Sequence, residues 1–259
     1  MDILRVHGEQ KELYEYSLEN ALALAKGNLS LVVVLQEPRN TADVVPYDVM
    51  VYGDASVSNW GPERVGSATL QEIDSLAEDS SKGRYGLRDV SIFDLNTLLP
   101  KDLQEESDNV EADLVEAQGV FWDMVLAKQP DAILVLTATA RSSKHKQVKC
   151  LGSSLRKAGS TRPFILHTGN GRHESLIIYG FHPNAYLRED YVAGSNWLPE
   201  DVSLANEVLR VCFAKAFEAS CGLPRDSIHD NEVLNQWREF LASESSLDVQ
   251  TAFAHLAIE

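Results

Sequence analysis

The sequence predicts an α/β fold, a central parallel sheet with helices on both faces. Three observations predict it. Short apolar runs rich in β-branched residues recur along the chain, among them LVVVL at residues 31–35 and AILVL at 132–136. Longer segments with apolar residues at helical spacing stand between them. Gly, Pro and Asn punctuate the changeovers, as at Gly27-Asn28 and Pro38. Strands that alternate with helices of ten or more residues build right-handed βαβ units around one sheet.

In chain order, residues 11–26 (KELYEYSLENALALAK) are rich in helix formers and carry Leu, Tyr and Ala at helical spacing. Gly27-Asn28 ends that helix, and LVVVL follows as a buried strand. Residues 48–52 (DVMVY), ended by Gly53, read as a second strand. A helix is expected over 69–77, a loop over 79–86 and a strand over 90–95 (VSIFDL). Residues 102–110 are acidic and expected to be exposed. Residues 112–128 form a long amphipathic helix with Leu114, Phe121, Trp122 and Val125 as core. AILVL is the next strand, 148–157 a helix, and 164–167 and 176–179 two further strands. His167 and His173 flank the glycine-rich TGNGRH turn and read as hairpin or loop residues. Helices are expected over 204–219, 231–241 and 247–257. Residues 1–221 make the α/β domain, and 222–259 a helical extension packed on it.

Composition bounds the function. The 259 residues are 44% hydrophobic and carry a net charge of −16. That apolar fraction supports a sizeable core and excludes a wholly disordered chain. The negative surface repels polyanions on average, which argues against a general nucleic-acid coat protein but leaves room for a local basic patch. No apolar stretch has the roughly 18 residues of a membrane span. MDILRVHGEQ has neither the basic nor the apolar region of a secretion signal. The expectation is an intracellular protein, nuclear or cytoplasmic. Cys150, Cys212 and Cys221 are odd in number and contain no CxxC, so a disulfide framework, a zinc ribbon and a four-thiolate cluster are all poor readings. Neither HxH nor HExxH spacing occurs, so no metal and no cofactor are expected.

In a parallel sheet of this kind, ligands bind at the carboxyl ends of the strands. Gln36-Glu37-Pro38-Arg39 follows the first expected strand, and Gly53-Asp54-Ala55-Ser56 the second. Asn96-Thr97 follows VSIFDL, Thr137 to Arg141 follow AILVL, and His182-Pro183-Asn184 follow the last strand. Carboxylates, a carboxamide and an imidazole at one sheet edge suit acid/base chemistry and recognition of a planar polar group.

The segments VVVLQEPRN (32–40), IFDLNTLLP (92–100) and IIYGFHPNAYL (177–187) stand in an order that resembles the uracil-DNA glycosylase superfamily. The resemblance runs from residue 31 to about 216 and rests on the ordered combination, since no single segment is specific. It implies a three-layer α/β/α sandwich with a four-stranded parallel sheet. It implies hydrolysis of an N-glycosidic bond in DNA, removing uracil or a related damaged base. The water-activating carboxylate would be Glu37, with Gln36 beside it. In a second register, starting at Gly53-Asp54-Ala55, that carboxylate would be Asp54. Asn96 would bind the base edge, and Met50 or Tyr52 would floor the base pocket. His182 would stabilise the departing base, while Pro183 and Asn184 would enter the minor groove. The chain departs from the pattern in having Glu37 for Asp, Asn184 for Ser and Arg39 where an aromatic wall is usual.

Charge adds a partner. Residues 132–173 contain no Asp or Glu but eight Lys and Arg, including Arg141, Lys144 and Lys146. Leading into the HPN loop, this run is either a solvated basic face or a DNA phosphate-contacting patch. Two other classes stay open. One is a catalytically inactive chain of the same fold, serving as a binding or scaffold protein through its acidic surface. The other is a GDSL-like esterase built on Gly53 to Ser56, Gly169-x-Gly171 and His182-Pro183-Asn184, although Ala55 stands where its nucleophile should be.

Overall fold

The computed structural model describes residue 3 and residues 21–35, 47–53, 66–96, 110–143, 145–169, 171–183 and 197–243. Residues 21–24 end a helix. Then come β1 (Leu31–Leu35), α1 (Tyr47–Tyr52), α2 (Ala68–Ser81), β2 (Ser91–Asp94), α3 (Val110–Lys128), β3 (Ala132–Val135) and the single turn α4 (Lys146–Lys149). β4 (Thr161–Thr168), β5 (Gly171–Tyr179), α5 (Pro199–Cys221) and α6 (Ser227–Ser243) complete the order. The expected helix over 247–257 and the acidic segment 102–109 lie outside the described residues.

The strands form one five-stranded sheet in the order β2-β1-β3-β5-β4. β1 pairs in parallel with β2 and β3, and β3 pairs in parallel with β5. The four-stranded expectation is therefore one strand short. The chain between AILVL and the HPN loop folds as a hairpin, and its first arm, β4, adds an antiparallel edge. His167 and His173 flank that hairpin's turn, as expected.

Both sheet faces are covered. Leu31, Val33 and Leu35 of β1 join Leu134 and Ile178 in one cluster with Ile73 of α2, Phe213 of α5 and Trp237 of α6. Val32 and Val34 join Ile133 and Ile177 in a second cluster with Phe121 and Val125 of α3 and Val148 of α4. Alternate residues of each strand thus feed opposite cores, which explains why the strands read as unbroken apolar runs. The apolar side chains of α6, Val233, Leu234 and Trp237, belong to the first cluster.

Two expected elements take another form. DVMVY is helical rather than a strand. Met50 and Val51 are neighbours in sequence and both are buried. The Met50 and Val51 carbonyls accept from the Ser67 N–H, and Gln71 Nε2 donates to Val51 at 2.8 Å, so the helix end is capped by the start of α2. The expected helix over 148–157 is broken into α4 and a 3₁₀ turn at Leu155–Lys157. Between them, Ser153 donates its N–H to the Thr137 carbonyl at 3.2 Å and its hydroxyl to the Gly180 carbonyl. Bonding to the sheet edge replaces helical bonding there.

Gly27 is fixed by contact rather than by conformation. A Cβ there would lie 2.1 Å from the Val90 carbonyl carbon, where the chain enters β2. Ser91 is fully buried and donates its hydroxyl to the Ala25 and Gly27 carbonyls, both at 3.2 Å.

Candidate functional site

Parallel pairing brings the carboxyl ends of β1, β2, β3 and β5 to one edge. The registers Leu35↔Asp94, Val34↔Val135 and Val135↔Tyr179 fix the strands against one another. Bonds from Leu95 N to Leu35 O, Leu136 N to Val34 O and Gly180 N to Val135 O continue the ladders one step further, at 2.9, 3.0 and 2.8 Å. Asn96 leaves β2 at this edge and is 5% exposed; Thr137 leaves β3 and is 3% exposed. His182 leaves β5 half-buried, followed by buried Pro183. β1 and β3 lie between Asn96 and His182. Three strand spacings set their backbones about 14 Å apart.

The expected site residues divide into four groups. Asn96, His182 and Pro183 share this edge, with Arg141 beside it in the 3₁₀ turn Thr139–Ser142 that follows β3. Glu37, Gln36, Asp54, Lys144 and Asn184 lie outside the described residues. Met50 and Tyr52 sit on α1 rather than directly after a strand. Met50 is 1% exposed within the first core cluster. The Tyr52 hydroxyl donates to the Asp74 carboxylate of α2, and that bond and partial burial push its phenol up to about 12. Lys146 is exposed on α4.

Two further residues of this edge, Asp94 and Ser153, were not singled out from the sequence, and Thr137 was placed there without a role. Asp94 is buried at 4% as the last residue of β2, level with Leu35 of β1. By strand alternation, it shares a face with Asn96, about 7 Å along the chain. Its signal was a carboxylate inside an apolar run, IFDL. Thr137 and Ser153 are joined by a backbone bond, and Ser153 also holds the Gly180 carbonyl, two residues before His182. Nothing in the composition of GSSL distinguishes Ser153 from its neighbour.

A stack of aromatic rings backs the His182 loop. Phe181 lies against Trp237 with ring centroids 5.5 Å apart and planes inclined by 18°. Trp237 Nε1 donates to the Leu155 carbonyl at 3.0 Å. Trp197 meets Trp237 edge-on at 5.9 Å. Phe181, the residue before the imidazole, is thus packed against α6.

Elsewhere, the Gly169–Gly171 turn lies at the hairpin tip, past the amino ends of the strands, opposite to His182. Two surface grooves of about 430 and 460 Å³ are lined by residues such as Asp79, Arg210 and His229, or Asp131 and Phe164, and by no residue of the carboxyl edge. Among the described residues, no group of three His, Cys, Asp or Glu side chains could hold a metal ion, and no helix is long and apolar enough to cross a membrane. The three cysteines are unpaired thiols, with buried Cys212 pushed up to about 12 by desolvation. No protein-family model matches the chain, and no curated protein matches it.

Proposed function

We propose that this chain is a DNA glycosylase-type hydrolase, a divergent member of the uracil-DNA glycosylase superfamily, built as a three-layer α/β/α sandwich. The observation that carries the proposal is the shared edge of Asn96 and His182. A carboxamide and an imidazole leave the outer two of four parallel strands at the same end. The fifth strand is an antiparallel addition outside that set of four.

The chemistry needs three parts. A nucleotide is flipped from the strand, at a cost of a few kcal/mol offset by pocket contacts. The Asn96 amide both donates to and accepts from the pyrimidine edge, pinning the base. Water attacks the sugar C1′ as the N-glycosidic bond breaks, and the bonding pair leaves with the base nitrogen. His182 meets the negative charge on the departing base. Glu37 or Asp54 meets the positive charge on the sugar, orients the water and takes its proton. The products are free base and an abasic site, with no cofactor consumed. Arg141, Lys144 and Lys146 would hold the strand's phosphates.

The test is abasic-site formation on a single-strand oligonucleotide carrying uracil, with Glu37→Gln and Asp54→Asn beside the native chain. Native cleavage lost in one of the two identifies the acid. Equal cleavage in native and both variants contradicts the role given to them.

One observation favours a second reading, an inactive chain of the same fold that binds protein through its acidic surface. Met50 is packed in the core and Tyr52 is engaged with Asp74, so neither offers a floor for a flipped base. Absence of cleavage together with salt-insensitive or absent DNA binding supports this reading.

A further inference from the structure

Three cations converge beside Tyr179, on the sheet face opposite Phe181. Lys157 Nζ stands 4.7 Å from the centre of the Tyr179 ring and donates to the Gly152 carbonyl at 2.8 Å. The stem of Arg141 lies against Gly152 so closely that a Cβ there would meet Arg141 Cγ at 2.3 Å. Arg162 stands opposite Ile177 in the β4–β5 ladder, on the sheet face that carries Tyr179, whose hydroxyl donates to the Cys150 carbonyl at 3.0 Å. Burial holds the Lys157 ammonium below its ordinary value, and the two guanidiniums push it down further. Among the described residues, the ion pairs of Arg88, Arg210 and Arg225 all lie elsewhere, and none involves Arg141, Lys157 or Arg162. Like charges gathered without a carboxylate repel one another, and an anion among them removes that repulsion.

We propose that Arg141, Lys157 and Arg162 form an anion site for one phosphoryl group, with Tyr179 as its floor. Two planar guanidinium forks and an ammonium match the several acceptor oxygens of a phosphoryl group better than the two of a carboxylate. The position also suits it. The 3₁₀ turn Leu155–Lys157 and the start of β4 lie at the carboxyl end of β5, because Tyr179 N bonds Ser160 O at 3.0 Å and Gly159 N bonds Tyr179 O at 2.8 Å. The phosphoryl group belongs to a nucleic-acid strand or to a small nucleotide. The site stands whether or not the chain cleaves a glycosidic bond.

The test is anisotropy of a short labelled oligothymidylate, which carries no uracil, titrated with the full-length protein over a salt series. Lys157→Gln and Arg162→Gln should each weaken binding several-fold, and each lost contact should flatten the salt dependence by about 0.7 in slope. Thermal melting shows that each variant is folded. Arg172→Gln makes the same charge change at the hairpin tip, roughly 23 Å along β5 from Tyr179, and should bind as the native chain does. Displacement of the label by thymidine monophosphate assigns the site to a single phosphoryl group. Displacement only by unlabelled oligothymidylate assigns it to a strand. The proposal is overturned if the native chain binds neither probe, if Lys157→Gln and Arg162→Gln bind normally, or if Arg172→Gln weakens binding as much. Because the probe lacks uracil, none of these results depends on the hydrolysis assay.

Discussion

Trp237 links the periphery of the chain to His182. Its indole stacks on Phe181, the residue before the imidazole, and its N–H holds Leu155. Trp237→Ala should cost about 3–5 kcal/mol in denaturant melts, the usual range for emptying a large buried aromatic site. Trp237→Phe keeps most of the packing but strands a carbonyl, and should cost about 1–3 kcal/mol. Tyr52 makes a spectroscopic prediction. Its phenol is raised to about 12 first by the Asp74 hydrogen bond, so Asp74→Asn should return its ultraviolet titration toward 10.0. The linkage sign follows. Below pH 10.0 the phenol is neutral in both states, and above it the unfolded chain ionises first. The Tyr52 contribution to stability is therefore full below that pH and falls away as pH rises to about 12. A Tyr52 titration unmoved by Asp74→Asn would contradict the hydrogen bond. His182 and Asn96 were legible in the sequence because each follows a buried strand directly. Asp94 and Ser153 were not, because a single polar residue carries no periodicity and its neighbours depend on the tertiary fold.

Among the elements, the strands with unbroken apolar runs were the most legible. LVVVL and AILVL are buried on both faces, and only a central parallel strand combines that burial with that length. DVMVY shows where the same reasoning fails. Its β-branched residues favour a strand, yet in a six-residue segment that preference is small beside packing. Bonds from Ser67 and Gln71 to the Met50 and Val51 carbonyls cap the segment as a helix. The 148–157 segment fails for a related reason, since its helix-forming composition competes with bonds from Ser153 to two strand ends. Gly27 tests the packing of β2 against the preceding helix. Gly27→Ala drives a methyl into the Val90 backbone and should cost about 3 kcal/mol in melts. A neutral substitution would show that the approach of the two segments is looser than the structure has it.

At the scale of the molecule, α6 contributes side chains to the first core cluster. Gly159, at φ +75°, comes so close to α6 that a Cβ there would strike Leu234 Cδ2 at 2.2 Å. A chain ended after Gly222 loses Val233, Leu234 and Trp237 from the first core cluster. It should melt well below the full chain in calorimetry or fail to fold, whereas an equal melting temperature would make residues 222–259 a detachable extension. The overall charge and its arrangement pull in opposite directions. A net charge of −16 opposes polyanion binding, whereas the proposed site of Arg141, Lys157 and Arg162 would favour it at the carboxyl end of β5. That segregation was legible as an acid-free run of sequence. Its division between the carboxyl edge and the hairpin tip was not, because the hairpin carries Arg172 away from Tyr179. Asn96 and His182 are proposed to serve one hydrolytic site. The most direct test of that role is the rate of uracil release from single-stranded DNA by the native chain, by Asn96→Ala and by His182→Ala, each shown to be folded. Release by the native chain and a loss of at least about a hundredfold in each variant are expected. Folded native protein that releases no uracil, or variants that release it at the native rate, would contradict that role.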